Sequence, residues 1–275
     1  MTVATRIDRR FAAARRARRK LLIPFITAGF PTLTDTVPLM HELVAAGADL
    51  IELGVPFSDP MADGPTIQRA NERALANGVT LAKTLAMVEA FRANDADTPV
   101  VLMGYANPFE AMGWLRFAAA AQRVGVDGVL TVDLPPEEAE MPVAHLTAAA
   151  LAPIFLLAPT SSPQRVAAAE RLGDGFLYYV SLTGVTGAGH LDVADVGNRL
   201  TRLRQVVRLP VVVGFGVKDP ASAQAIAALA DGVVVGSRLI EEIEANPAAL
   251  HRCVPALVAE LRQAIDSLAS KETQR

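Results

Sequence analysis

The chain has 275 residues, 51% of them hydrophobic, and a net charge of −3. Such a chain can bury a large core in one α/β domain spanning residues 1–275, and its mild charge argues against a nucleic-acid partner. A single cysteine, Cys253, leaves no disulfide framework and no cysteine-based metal site, and no apolar run nears the ~20 residues of a membrane helix.

The N-terminus lacks the uninterrupted apolar core of a signal peptide, so a soluble, cytoplasmic protein is expected. Its first twenty residues carry eight basic side chains against one acid, Asp8. Ile7, Phe11 and Ala14 recur at helical spacing, which predicts an amphipathic helix with one thin apolar stripe. The reading is a solvated capping helix. A nucleic-acid arm would need aromatic interleaving and a second basic patch, and neither is present.

From Leu21 the chain alternates short apolar runs with longer amphipathic ones. Strands are expected at Leu21–Thr27, Leu50–Leu53, Val100–Tyr105, Gly128–Val132, Pro153–Leu157, Gly175–Val180, Val211–Gly214 and Gly232–Gly236. Helical patterns lie between them: Thr34–Ala46, Pro65 to about Asn94, Trp114–Val124, Met141–Ala149, Pro163–Leu172, Val196–Val207 and Ala221–Leu229. Closing helical segments reach about Leu268, and residues 269–275 are expected to be a disordered tail. Eight Val/Ile/Leu-rich strands, each followed by a helix, predict a parallel sheet closed into a (β/α)8 TIM barrel. No Gly-x-Gly-x-x-Gly follows the first strand, which argues against a dinucleotide fold.

The second strand carries Glu52 in its middle, and Gly-Val-Pro-Phe-Ser-Asp59-Pro-Met-Ala-Asp63-Gly-Pro-Thr follows as turn chemistry. A carboxylate among strand residues is costly to bury without a partner or a function. A buried ion pair is the bland reading. The other strand runs hold no Lys or Arg, although a helix or loop could still supply one, and the catalytic reading leads.

Catalytic groups of such barrels stand at the C-terminal strand ends. Reading those positions gives Phe25, Glu52, Tyr105, Asp133, Tyr178, Gly214 and Gly236, a set suited to a flat apolar ring. Val-Val-Gly214-Phe-Gly216 and Val-Val-Gly236-Ser237 each end a strand in glycine before a helix, which predicts a phosphate site after strands seven and eight. The stretch 181–190, Ser-Leu-Thr-Gly-Val-Thr186-Gly187-Ala-Gly-His190, reads as a lid. His190 receives no role.

The motif from Glu52 to Asp63 and on through Gly-Pro-Thr-Ile-Gln resembles the signature of the tryptophan synthase alpha subunits nearly throughout. Supporting matches are Ile-Pro24-Phe25-Ile-Thr-Ala-Gly, Met103-Gly-Tyr105-Ala-Asn107-Pro, Ser-Leu-Thr-Gly-Val-Thr186-Gly, Gly214-Phe-Gly216 and Gly236-Ser237. They run in the family's order from about residue 20 to 240, leaving the basic N-terminus and the tail unmatched. The resemblance implies a lyase splitting indole-3-glycerol phosphate into indole and glyceraldehyde 3-phosphate. It also implies a beta-subunit partner in an alpha2-beta2 tetramer, to which indole passes through a tunnel. Pyridoxal phosphate is expected in that partner, and no cofactor or metal in this subunit. Carried over by position, Glu52 is the general acid–base and Asp63 the carboxylate facing the indole nitrogen. Phe25, Tyr105, Leu130 and Tyr178 would line the ring pocket. Thr186, Gly187, Phe215, Gly216, Gly236 and Ser237 would contact the rest of the substrate, the glycines and Ser237 holding the phosphate. Asp59 and Asn107 would face the partner.

Alternatives stay open. Asp63 could be a helix N-cap ahead of Pro65, and Asp59 a turn former. Another phosphate-binding barrel would be expected to show a catalytic lysine or a Cys/Asp pair at its strand ends. A non-catalytic activating subunit would not need both Glu52 and Asp63.

Overall fold

The alternating pattern folds as expected into eight parallel strands that close on themselves, in chain order around the ring. The computed structural model describes residues 4–180, 193–214 and 216–272. The strands are β1 (Leu21–Thr27), β2 (Ile51–Gly54), β3 (Val100–Gly104), β4 (Gly128–Thr131), β5 (Ala152–Leu157), β6 (Leu177–Val180), β7 (Val211–Gly214) and β8 (Gly232–Val235). Helix α1 (Arg6–Arg16) precedes them. Between them lie α2 (Thr36–Ala45), α3 (Pro65–Ala76), α4 (Leu81–Arg92), α5 (Ala106–Met112), α6 (Trp114–Val124), α7 (Glu140–Ala148), α8 (Pro163–Leu172), α9 (Val193–Leu203) and α10 (Pro220–Ala227). Helices α11 (Ser237–Ala245) and α12 (Leu250–Glu272) close the chain.

Each strand is buried on both faces, which is why the runs read as continuously apolar. Leu22, Ile26, Ile51 and Leu53 point outward into the core shared with the helices. Leu21, Ile23, Phe25 and Leu50 point inward and fill the barrel. Outside, α2 packs on α4, α4 on α6, α6 on α7, and α12 on both α2 and α10.

Several boundaries differ from expectation: α5 is an unexpected helix, and α9 runs Val193–Leu203 rather than Val196–Val207. The helical stretch from Pro65 to about Asn94 is two helices, because Gly78 turns the chain at φ 75, a conformation glycine adopts without strain. The Thr80 hydroxyl then starts α4 by accepting from the Lys83 N–H at 3.3 Å. At the other end, α12 runs on to Glu272 rather than stopping near Leu268, so residues 269–272 are helical rather than tail.

The basic N-terminal helix does more than cap. A Thr5–Asp8 capping box starts α1, and its stripe of Ile7, Phe11 and Ala14 is buried in the barrel-interior cluster. Ile7 methyls lie over Gly128 and Gly175 at the strand feet, and Phe11 meets Phe176 with ring centroids 5.7 Å apart. Burying two such side chains contributes about 1.5–3 kcal/mol each. The helix plugs the barrel's N-terminal end.

An aspartate precedes every even-numbered strand there. Asp49, Asp127, Asp174 and Asp231 each donate their N–H, at 2.9 Å, to a carbonyl at the start of the preceding odd strand: Leu22, Val100, Pro153 and Val211. In three cases the carboxylate accepts back from the N–H of that same residue, at 2.9 Å from Leu22, 2.8 Å from Val100 and 2.9 Å from Val211. Pro153 has no N–H, and Asp174 accepts from the Gly175 N–H instead. Arginines complete three of these clasps, with Arg204 reaching Asp231 at 3.4 Å. Arg19 and Arg262 hold Asp49, while Arg6 and Arg92 hold Asp127.

Candidate active site

At the opposite end, the upper parts of β1, β2, β3, β6 and β8 surround a cavity with Phe25, Glu52, Met103, Tyr178 and Val234. Asp63 and Ile67 close it from the segment after β2, and Gly216, Val217, Gly236 and Ser237 from the segments after β7 and β8. Seven expected residues are thus brought together: Phe25, Glu52, Asp63, Tyr178, Gly216, Gly236 and Ser237. Tyr105 and Leu130 are placed differently. Leu130 is fully buried in the barrel-interior cluster, and Tyr105 lies behind Asp63 with its hydroxyl accepting from the Ala62 N–H at 3.0 Å. Thr186, Gly187, Phe215 and the whole 181–190 stretch lie outside the described residues. At this end Asp59 is exposed on the loop after β2 and Asn107 in the first turn of α5.

Ile67, Met103, Val217 and Val234 were missed by sequence reading. Strand parity contains the signal for two of them: Val101, Met103 and Tyr105 alternate on one face, as do Val234 and Gly236. Ile67 lies on the buried stripe of α3, where it reads as ordinary core.

Glu52 is 1% exposed, and neither carboxylate oxygen meets a hydrogen-bond partner among the described residues. The buried-ion-pair reading therefore fails. Burial first, and the nearby Asp63 charge second, push the Glu52 carboxyl up to about 8. It is a protonated acid at neutral pH. Tyr178 is raised well above its usual range by the same burial and by both acids, so its phenol keeps its proton.

Asp63 has a different environment. The N-cap of α3 is Gly64, with no side-chain capping bond and Pro65 in the first turn, so Asp63 does not cap the helix. Burial pushes its carboxyl up to about 6, and hydrogen bonds from Tyr105 and Asn71 pull it down against that rise. The cavity therefore presents, near neutral pH, one protonated acid and one carboxylate. Two acids whose surroundings set their proton affinities apart form an acid/base pair.

The glycines divide as well. A Cβ on Gly214 would stand 2.1 Å from the Tyr178 hydroxyl, so this glycine is there to admit the tyrosine ring. Gly236 is the N-cap residue of α11 and has no side-chain capping bond. The first N–H groups of α11 have no intrahelical acceptor, and Gly236 and Ser237 line the cavity with that end of the helix. An anion is favoured there.

A larger groove, about 340 Å³, lies outside the barrel between α4 and α6, against Leu85, Glu89, Arg116 and Arg123. It lies between two outer helices, away from the strand ends where Glu52 and Asp63 meet, so the smaller cavity is the candidate site. Among the described residues, no group of three or more His, Cys, Asp or Glu could hold a metal ion, and no helix is long and apolar enough to cross a membrane.

Known proteins share this sequence and fold. The family model described as tryptophan synthase alpha chain matches residues 11–269. The tryptophan synthase alpha chain of Azoarcus sp. (strain BH72) is 60% identical over 266 residues, covering 96% of this chain and 98% of its own. That of Laribacter hongkongensis (strain HLHK9) is 59% identical over 262 residues, covering 95% and 99%. The crystal structure of the tryptophan synthase alpha chain from Legionella pneumophila subsp. pneumophila superposes with a TM-score of 0.91 at 43% identity, covering 97% of this chain and 99% of that one.

Proposed function

The chain belongs to the tryptophan synthase alpha chain family, and from that premise we propose how its cavity performs the family's reaction. The enzyme is a lyase of tryptophan biosynthesis, cleaving indole-3-glycerol phosphate to indole and glyceraldehyde 3-phosphate. Glu52, protonated at neutral pH, gives its proton to C3 of the indole ring. The ring nitrogen becomes positively charged, and the Asp63 carboxylate accepts the N–H hydrogen bond that strengthens as it does so. Glu52, now a carboxylate, takes the proton from the glycerol hydroxyl next to C3. The carbon–carbon bond breaks, its electron pair returns to the ring, the aldehyde forms, and Glu52 is left protonated for the next turnover. Phe25, Ile67, Met103 and Tyr178 hold the flat ring. The N–H groups at Gly236 and Ser237, with Gly216 beside them, take the phosphate, and Thr186, Gly187 and Phe215 are assigned to the substrate by family position. Tyr105 acts from behind Asp63, and Leu130 supports the pocket floor.

The observation that carries this reading is the buried, unpartnered Glu52 that shares one cavity with Asp63. No cofactor takes part in these steps. Family membership implies a beta-subunit partner. The finer reading is an alpha2-beta2 assembly that receives the indole, with pyridoxal phosphate on the beta side and a cytoplasmic setting. Asp59 on the loop after β2 and Asn107 in the first turn of α5 are assigned to the docking face, and Met61 between Asp59 and Asp63 supports this with 86% of its surface exposed. The test is indole formation from indole-3-glycerol phosphate, measured alone and against increasing beta subunit. Slow release alone and a rise of about tenfold or more with partner, or ~1.4 kcal/mol of barrier, are expected. Absence of indole in both conditions overturns the assignment.

A further inference from the structure

Helix α3 buries Ile67, Ala70, Asn71 and Ala74 on one face. Asn71 is the exception in that stripe, a polar side chain only 4% exposed in a helix interior, where asparagine is a poor former. An unpaired buried amide would be costly. Its Nδ2 donates to Asp63 Oδ2 at 3.4 Å. One turn earlier, Gln68 Nε2 donates to the Asp63 carbonyl at 2.9 Å. Successive turns of α3 thus fold back on the residue just ahead of the helix, one on its backbone and one on its carboxylate. Tyr105 completes the cradle. Its oxygen already accepts from Ala62, leaving its proton for Asp63.

We propose that Asn71 is a positioning residue for the lyase reaction, holding the Asp63 carboxylate in the orientation that meets the ring nitrogen. The proposal rests on Asp63 being the carboxylate that receives the indole N–H. The titratable groups facing Asp63 are Glu52 from β2, Tyr105 after β3 and Tyr178 from β6. None of them supplies a positive charge, so the neutral donors Asn71 and Tyr105 favour the ionised form against burial. Removing one of them raises the proton affinity of Asp63 and frees its side chain to rotate.

The experiment uses Asn71→Leu, close in size and without the donor, and Asn71→Asp, which places a second negative charge beside Asp63. Indole formation with saturating beta subunit is followed from about pH 5 to about pH 9. For Asn71→Leu, kcat near neutral pH should fall about tenfold, as for a mispositioned group, with KM nearly unchanged. The acid limb of the rate profile should move up by about one pH unit. Asn71→Asp should move it further, and serves alone if the leucine variant does not fold. In an Asp63→Asn background, Asn71→Leu should cost nothing more, because the coupled pair is already broken. An unmoved acid limb in both variants, or an undiminished penalty in that background, overturns the proposal. Full activity of Asp63→Asn by itself sinks the Asp63 assignment instead, and so the two failures are told apart.

Discussion

Asp49 at the foot of β2 and Glu52 within it are both 1% exposed, yet their surroundings are opposite. Asp49 accepts from Leu22 N–H and from Arg19 and Arg262. Glu52 accepts from nothing among the described residues. A buried carboxylate must be compensated or lose its charge, and this chain uses one solution at each end of one barrel. At the foot, paired aspartates bind strand to strand and fasten α1 and α12 to the ring. At the mouth, an unpaired glutamate retains its proton for use in chemistry. The contrast matches the division in such barrels between a stabilising N-terminal face and a reactive C-terminal face.

Breaking the mouth should give the largest change. Glu52→Gln keeps the size and removes the titrating proton, so indole formation should fall by roughly 10²–10⁴-fold, the usual contribution of a general acid–base. The substrate should still bind and the protein should still melt cooperatively. Retention of a tenth or more of the wild-type rate would remove Glu52 from the mechanism.

Breaking the foot should act on stability alone. Asp49→Ala takes from Arg262, itself 6% exposed, one of its two carboxylates, leaving it Asp266, and removes the acceptor of the Leu22 N–H. Loss of one partner of a buried pair costs about 3–5 kcal/mol, read by urea unfolding. The folded fraction should cleave substrate at the wild-type rate; a large drop in kcat at full folding would merge the two ends that the comparison separates.

A third and smaller effect sharpens the comparison through pH. Glu52 holds its proton more tightly when folded, about 8 against 4.5. Its contribution is therefore fully present below pH 4.5 and is lost as pH rises through about 8. Between pH 5 and pH 7 the loss amounts to roughly 2–3 kcal/mol. Glu52→Gln lacks that proton, so wild-type stability minus variant stability should fall over this window. A flat difference would show that Glu52 ionises as readily folded as unfolded.

Much of this was legible in the sequence. Eight apolar runs and the motif from Glu52 to Asp63 determined the barrel, the family and the reaction, because strand periodicity and a long local motif are carried by neighbouring residues. The foot was not legible. Asp49 and its partner Arg262 are 213 residues apart, and a search for cations limited to strand runs passes over arginines on α4, α12 and the turn before β1. The recurrence of Asp49, Asp127, Asp174 and Asp231 ahead of alternate strands was the available signal. Asn71 hid for another reason: on a helix face it reads as an interruption of apolar spacing, and only the fold shows that Asp63 is what it meets.

The most direct test of the central claim is the protonation of Glu52 itself, followed as its side-chain carboxyl carbon resonance in isotope-labelled protein and assigned by its disappearance in Glu52→Gln. The account predicts a midpoint near 8, with the carboxyl protonated at pH 6. A midpoint near 4.5, the value of an ordinary glutamate, would mean that Glu52 is charged at neutral pH, and it would contradict the claim that the unpaired acid at the barrel mouth is held ready to protonate the substrate.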